Sequence, residues 1–249
     1  MTNIGSARSA LSGRLRAAVA LLGALGIVAL STAPAAARRH QHGPPAPGPA
    51  LAGDAAAVQA ELAGIPQQGL SLGSSTAPVT VVEYADLICT PCAKAAASVL
   101  APLIGDYVRQ GIVRLELAPI TMSERSSQYA YGAYSASLQG AGWDYAMLAY
   151  ASSTGGSYGP VNPPDELARA LGLNVHRWRL NLFRPRWARS VENDVAIVSV
   201  GNFTSFPVFT VRGLAGASGR APVTVLRAPV TLPALTAAIS GAQAPSQGP

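Results

Sequence analysis

Cys89 and Cys92 are the only cysteines in the chain, and Thr90 and Pro91 separate them. A disulfide across so short a loop removes little entropy from the unfolded chain, so a stabilising bridge would be expected to close a longer one. The spacing points instead to redox chemistry. One sulfur, as thiolate, attacks a disulfide and forms a mixed disulfide, and the second sulfur or another thiol resolves it. Two other chemistries use cysteines of this kind. A tetrahedral zinc site needs two more ligands, but His40 and His42 lie in a Pro-rich stretch and His176 stands alone. No metal and no organic cofactor are expected. A cysteine hydrolase needs a positioned base, and the one histidine beyond that stretch, His176, reads as a surface or interhelix residue.

The sulfurs need an element to hold them. Val79–Tyr84 (VTVVEY) is β-branched and almost continuously apolar, the pattern of a buried central strand. The cysteines follow it directly, and Ala93–Arg109 reads as a helix bent near Pro102 and ended by Gly111. At the mouth of a helix the backbone N–H groups lack intrahelical partners and the dipole is positive. A Cys89 thiolate there is stabilised. Pro91 suits a first turn, where its missing N–H costs nothing, and Cys92, one turn on, is expected to be the more buried sulfur. Glu83 lies six residues before Cys89, inside the strand. Buried, its carboxyl has a raised pKa and can trade a proton with Cys92; at a strand edge it faces water. Asp86 and Lys94 flank the motif as exposed charges, which tune a thiolate only weakly.

The remaining pattern supplies the frame. Asp54 is a candidate N-cap for a short helix through Leu62, and Ile112–Leu117 (IVRLEL) reads as a second strand. Helices are expected at Glu124–Gln139, Trp143–Ala151, Pro164–Leu171, Val175–Phe183 and Trp187–Val200. Strands follow at Pro207–Arg212 and Val223–Leu226, and a last helix at Leu232–Ser240. A β-α-β unit and a β-β-α unit separated by a helical block make an α/β arrangement. The aromatic stretch Tyr129, Tyr131, Tyr134, Trp143, Tyr145 and Tyr150 reads chiefly as packing of that block against the sheet. The basic run from His176 through Arg177, Arg179, Arg184, Arg186 and Arg189 reads as a solvated face with Trp178 and Trp187 buried.

The N-terminus has its own signature. Arg8, Arg14 and Arg16 precede the uncharged run Ala17–Leu30, and Ala35-Ala36-Ala37 follows. A basic stretch, an apolar run and an Ala-x-Ala ending describe a secretory signal peptide over residues 1–37. The run is short for a bilayer span of roughly 20 residues, and an uncleaved anchor is the alternative. Either places the rest of the chain outside the cytoplasm: secreted, periplasmic or tethered to the cell envelope. The formal charge of +6 owes half its excess to those three arginines, so a polyanionic partner such as nucleic acid is not indicated. Residues 38–66 read as a Pro/Ala-rich tether with a short helix, 67–241 as the folded domain with its helical insert at about 123–200, and 242–249 as a disordered tail.

The stretch Ala77–Cys92 (APVTVVEYADLICTPC) resembles the active-site segment of the DsbA-like thioredoxin family, including its BdbD-type members from Gram-positive bacteria. A second stretch, Ser205–Gly213 (SFPVFTVRG), resembles that family's loop in which a cis-proline opens a strand. The resemblance covers about residues 69–240. It implies a thioredoxin fold with an inserted helical subdomain. It also implies an oxidoreductase whose redox-active pair is Cys89 and Cys92, with Glu83 as buried proton relay and Pro207 as the cis-proline facing the disulfide. Phe206, Thr90 and Pro91 are then the substrate side, with the Phe206 backbone offered to an extended peptide. The implied substrates are exported proteins with thiols or disulfides, and the implied partner is a membrane redox protein that recycles the pair. The dipeptide Thr90-Pro91 departs from the Pro-His or Pro-Tyr often found in the family, which leaves oxidant, reductant and isomerase roles open. A non-catalytic binding module on the same scaffold is the alternative of a different class.

Overall fold

The computed structural model describes residues 46–153, 162–214 and 221–243. The expected signal segment and residues 38–45 of the tether lie outside those residues. The chain runs α1 (Pro49–Leu62), β1 (Gln67–Gln68), β2 (Ser71–Leu72), β3 (Val79–Ala85), α2 (Thr90–Ala95), α3 (Ala101–Leu103), β4 (Val113–Pro119), α4 (Glu124–Ser137), α5 (Gly142–Ala151), α6 (Pro164–Ala170), α7 (Val175–Asn181), α8 (Pro185–Val200), β5 (Val208–Arg212), β6 (Val223–Arg227) and α9 (Leu232–Gln243). The strands form one sheet in the order β1-β2-β4-β3-β5-β6. β3 and β4 are parallel, joined by the helical crossover such pairs require, and β3–β5 and β5–β6 are antiparallel. This is the thioredoxin fold with its helical insert, as the sequence predicts.

Strand β3 is central, and its two faces do different work. Side chains alternate across a strand, so Val79, Val81, Glu83 and Ala85 share one face, packed into the main core with Leu115 of β4 and Phe209 of β5. Tyr84 takes the other face and joins a smaller cluster with Val198 of α8, Ile120 and Val208. The insert is anchored by indoles that find carbonyl partners: Trp143 Nε1 donates to Leu70 O at 3.0 Å and Trp178 Nε1 to Gly132 O at 2.9 Å.

Several expected boundaries shift. The first helix begins at Pro49, not Asp54, and has no side-chain cap; its stripe Leu51, Ala55, Val58 and Leu62 is buried. Asp54 is therefore helix interior, and the tether gives way to helix earlier than expected. The helix after the cysteines starts at Thr90. It is interrupted on both sides of the Pro102 segment by π-helical turns, Ala96–Leu100 and Ile104–Val108, an adjustment near a residue that lacks a backbone donor. Part of the expected tail, Ala242 and Gln243, is helical; residues 244–249 lie outside the described residues.

Candidate redox site

Cys89 and Cys92 form a disulfide with Cα atoms 5.2 Å apart. Cys89 is the N-cap of α2, in extended backbone, and its sulfur accepts the Cys92 N–H at 3.3 Å. Pro91 sits in the first turn, as the spacing predicts. Cys92 is fully buried and Cys89 is 8 % exposed, so an incoming group reaches Cys89 first. The Thr90 hydroxyl is buried with no hydrogen-bond partner among the described residues.

Glu83 is fully buried. Desolvation pushes its pKa up to about 8, against a lowering hydrogen bond from Tyr150. The Tyr150 hydroxyl donates to Glu83 Oε2 at 3.4 Å. Of the two settings open to Glu83 in the sequence, the structure has the core one: β3 is a central strand, and the face that carries Glu83 packs into the main core.

Asp86 is a correction. It is 1 % exposed rather than a solvent-facing charge. Its Oδ1 accepts the Ile88 N–H at 3.0 Å and its Oδ2 the Met122 N–H at 3.1 Å. Burial raises its pKa, opposed by those backbone hydrogen bonds and by Ser126. Asp86 therefore ties the loop before Cys89 to the entrance of α4, whose N-cap Ser123 and Ser126 form a reciprocal cap. The insert holds the same loop at a second point, where the Ser153 hydroxyl donates to Ile88 O at 3.3 Å. Sequence reasoning missed Asp86, Ser153 and Tyr150 as site-shaping residues. The one available signal was Asp86 three residues before the first cysteine, a common turn position.

Across the active-site helix, the Phe206–Pro207 peptide bond is cis, as is Ala228–Pro229. Pro91, Lys94, Phe206, Pro207, Pro229 and Val230 line one groove of about 440 Å³. The structure thus brings Phe206, Pro207 and Pro91 to one groove, while Glu83 lies in the core. His176 is exposed, and no cluster able to hold a metal occurs among the described residues. The insert aromatics mostly turn inward. Tyr145 donates to Pro164 O at 3.2 Å, and Tyr134 stacks on Trp187 with centroids 4.8 Å apart.

A family model described as thioredoxin matches residues 66–213. The Wolbachia pipientis α-DsbA1 crystal structure aligns with TM-score 0.59 at 15 % identity, over 70 % of this chain and 90 % of that one. Bacillus subtilis BdbD in its oxidised form aligns with TM-score 0.57 at 19 % identity, over 72 % and 97 %. At these identities the likeness is one of fold. A curated relative, the Na(+)/H(+) antiporter NhaA 3 of Salinispora tropica, is 32 % identical over 143 residues, which is 57 % of this chain and 21 % of that protein. The match thus spans about a fifth of the relative's length. Among the described residues no helix is long and apolar enough to cross a membrane.

Proposed function

This chain belongs to the thioredoxin family, and from that premise we propose that it is a protein dithiol–disulfide oxidoreductase working through Cys89 and Cys92. The carrying observation is the pair itself: a disulfide at a helix mouth with one fully buried and one slightly exposed cysteine, on a helix that also lines a groove and directly after a strand that holds a buried acid.

In the oxidising direction a substrate thiolate attacks Cys89 and the Cys89–Cys92 bond breaks, leaving a mixed disulfide and a Cys92 thiolate. A second substrate thiol then displaces Cys89, and the protein leaves as the dithiol. In the reducing direction a Cys89 thiolate attacks a substrate disulfide, and Cys92 resolves the mixed species. The helix mouth stabilises the Cys89 thiolate, and the otherwise unpartnered Thr90 hydroxyl is placed to turn toward that sulfur once it is reduced. Glu83, with a pKa raised to about 8, returns a proton to Cys92 when protonated and takes one from it as the carboxylate. An extended substrate runs along the groove, met by Phe206, Pro207, Thr90 and Pro91.

The working location is outside the cytoplasm, supported by the signal-like segment at residues 1–37 and by where protein disulfides persist. Its substrates there are exported proteins, and a membrane redox partner resets the pair.

Insulin reduction by dithiothreitol, with wild type and Cys89→Ser side by side, tests the reading. Wild type accelerates the reaction and the variant does not. Equal rates would mean a binding module on a thioredoxin scaffold. The reduction potential then assigns direction: near about −120 mV for an oxidant, near about −270 mV for a reductant.

A further inference from the structure

The active-site helix has a second side, away from Phe206. There a cavity of about 350 Å³ opens between Glu61 of α1, Ala93, Ala96 and Ala97 of the active-site helix, and Met147 and Tyr150 of α5. A water takes about 30 Å³, so several fit. Tyr150 both lines this cavity and donates its hydroxyl to Glu83 Oε2. The other oxygen, Glu83 Oε1, is buried and accepts no hydrogen bond among the described residues, and Glu61 Oε1 is in the same condition.

A fully buried acid that gains and loses a proton each cycle needs a path to water. Strand neighbours give Glu83 none: Val81 and Ala85 flank it along β3, and its register partners are Leu117 and Phe209. The Tyr150 hydroxyl is the one polar side-chain group bonded to it among the described residues.

We propose that Tyr150 is a positioning residue for Glu83, orienting its carboxyl toward the cavity between α1 and α5, so that the proton taken from Cys92 leaves on that side of the helix. The inference rests on the disulfide-exchange reading above. In the reducing direction the step balances as follows. Cys92 loses its S–H proton to Glu83, and the Cys92–Cys89 bond forms as the Cys89–substrate bond breaks. The substrate sulfur departs as thiolate, so the protein is oxidised and the substrate reduced. One proton then passes from the Glu83–Tyr150 pair to water in the cavity.

The charged and titratable surroundings suit a neutral tyrosine donor. Glu83 on β3 and Asp86 just after it both face Tyr150, and burial first, then those acids, holds the Tyr150 hydroxyl well above its usual range. From α1 come Glu61 and Asp54. Arg109 lies against Glu61, whose pKa is raised by burial and partly offset by that guanidinium. The active-site helix contributes only alanines to the cavity wall among the described residues.

The experiment is the rate of mixed-disulfide resolution by stopped flow between pH 5 and 10, for wild type, Tyr150→Phe and Ala97→Leu. Tyr150→Phe keeps the ring and removes a hydrogen bond that lowers the Glu83 pKa. Its kinetic inflection moves up by roughly one pH unit, and its rate falls by about three- to tenfold. Ala97→Leu fills the cavity mouth and slows the step about threefold or more. A Tyr150→Phe profile that superimposes on wild type, or one that drops uniformly with an unmoved inflection, overturns the proposal. If Tyr150→Phe fails to fold, an unchanged rate in Ala97→Leu overturns it. The two readings fail differently: wild type matching Cys89→Ser sinks disulfide exchange and this inference with it, whereas an active wild type with an unchanged Tyr150→Phe profile sinks only the role of Tyr150.

Discussion

Two cavities flank the helix that carries Cys92; both are lined mainly by apolar side chains, and they differ in the polar groups among them, Lys94, Ser98 and Ser205 in one and Asp54, Glu61 and Tyr150 in the other. The one beside Phe206, Pro207, Pro229 and Val230 is an open, largely apolar groove whose bounding loops contain two cis-prolines. The one between α1 and α5 is walled by alanines and Met147, with carboxyl groups and a tyrosine at its ends. A groove of the first kind accepts chain: apolar surface takes a peptide, and an extended backbone lies along it. A cavity of the second kind accepts water and protons. In the function proposed above, one helix separates the place where a substrate is held from the place where its proton is managed. Disulfide exchange needs both, because each thiol that attacks must shed a proton and each thiolate that leaves must regain one.

The largest effect should come from a change that disables both sides together. Cys92→Ala leaves Cys89 able to attack but removes the resolving sulfur. Turnover in insulin reduction should fall at least about a thousandfold, with a substrate–protein adduct accumulating on a non-reducing gel. An adduct-free variant of normal rate would mean that Cys92 takes no part.

Next in size is Glu83→Gln, which acts on the proton side alone. The folded pKa, about 8, stands above the ordinary carboxylate value of 4.5. Between those values the folded protein keeps a proton that the unfolded chain has lost, so Glu83 costs stability as pH rises through that window. Replacing it with glutamine should stabilise the protein by on the order of a few kcal/mol at pH 8. The gain should vanish below about pH 4.5, as read by denaturant titration at several pH values, and the neutral-pH step in the exchange rate should disappear. A gain independent of pH would mean that packing, not ionisation, is what changes.

Phe206→Ala should give the smallest effect and the cleanest separation. It trims the groove without touching Glu83 or Tyr150. The KM for a peptide disulfide should rise by about three- to tenfold, the size expected from losing apolar contact in a pocket, while the pH profile stays in place. A shift in that profile would mean the two sides are not separate.

How far the sequence reached depended on whether a feature was local. The strand Val79–Ala85 was legible from its β-branched run, and the cysteines' place after it followed from Pro91 and the helical stretch beyond. The insert helices were legible from apolar spacing, with every end within two residues of expectation; outside the insert, α1, which has no side-chain cap, starts at Pro49, ahead of the expected Asp54 cap. Asp86 was misread as exposed: its turn bond from the Ile88 N–H is local, but nothing near it in sequence reveals that Met122, 36 residues on, brings its N–H to the same carboxylate. Tyr150 looked like ordinary packing of the insert for the same reason: its partner lies 67 residues away.

The amino-acid sequence by itself determined the redox pair, the strand and helix on either side of it, and the order of elements, since all follow from short-range pattern, turn chemistry and the spacing of two sulfurs. Only the tertiary structure decided that Glu83 is a core residue. The alternation of β3 puts it on one face, but it is the packing of that face into the core, with Leu117 of β4 and Phe209 of β5 beside it and Tyr150 of α5 against it, that removes it from water and lifts its pKa. Burial of a single carboxyl is a property of what closes over it, and those strands and α5 arrive from distant parts of the chain.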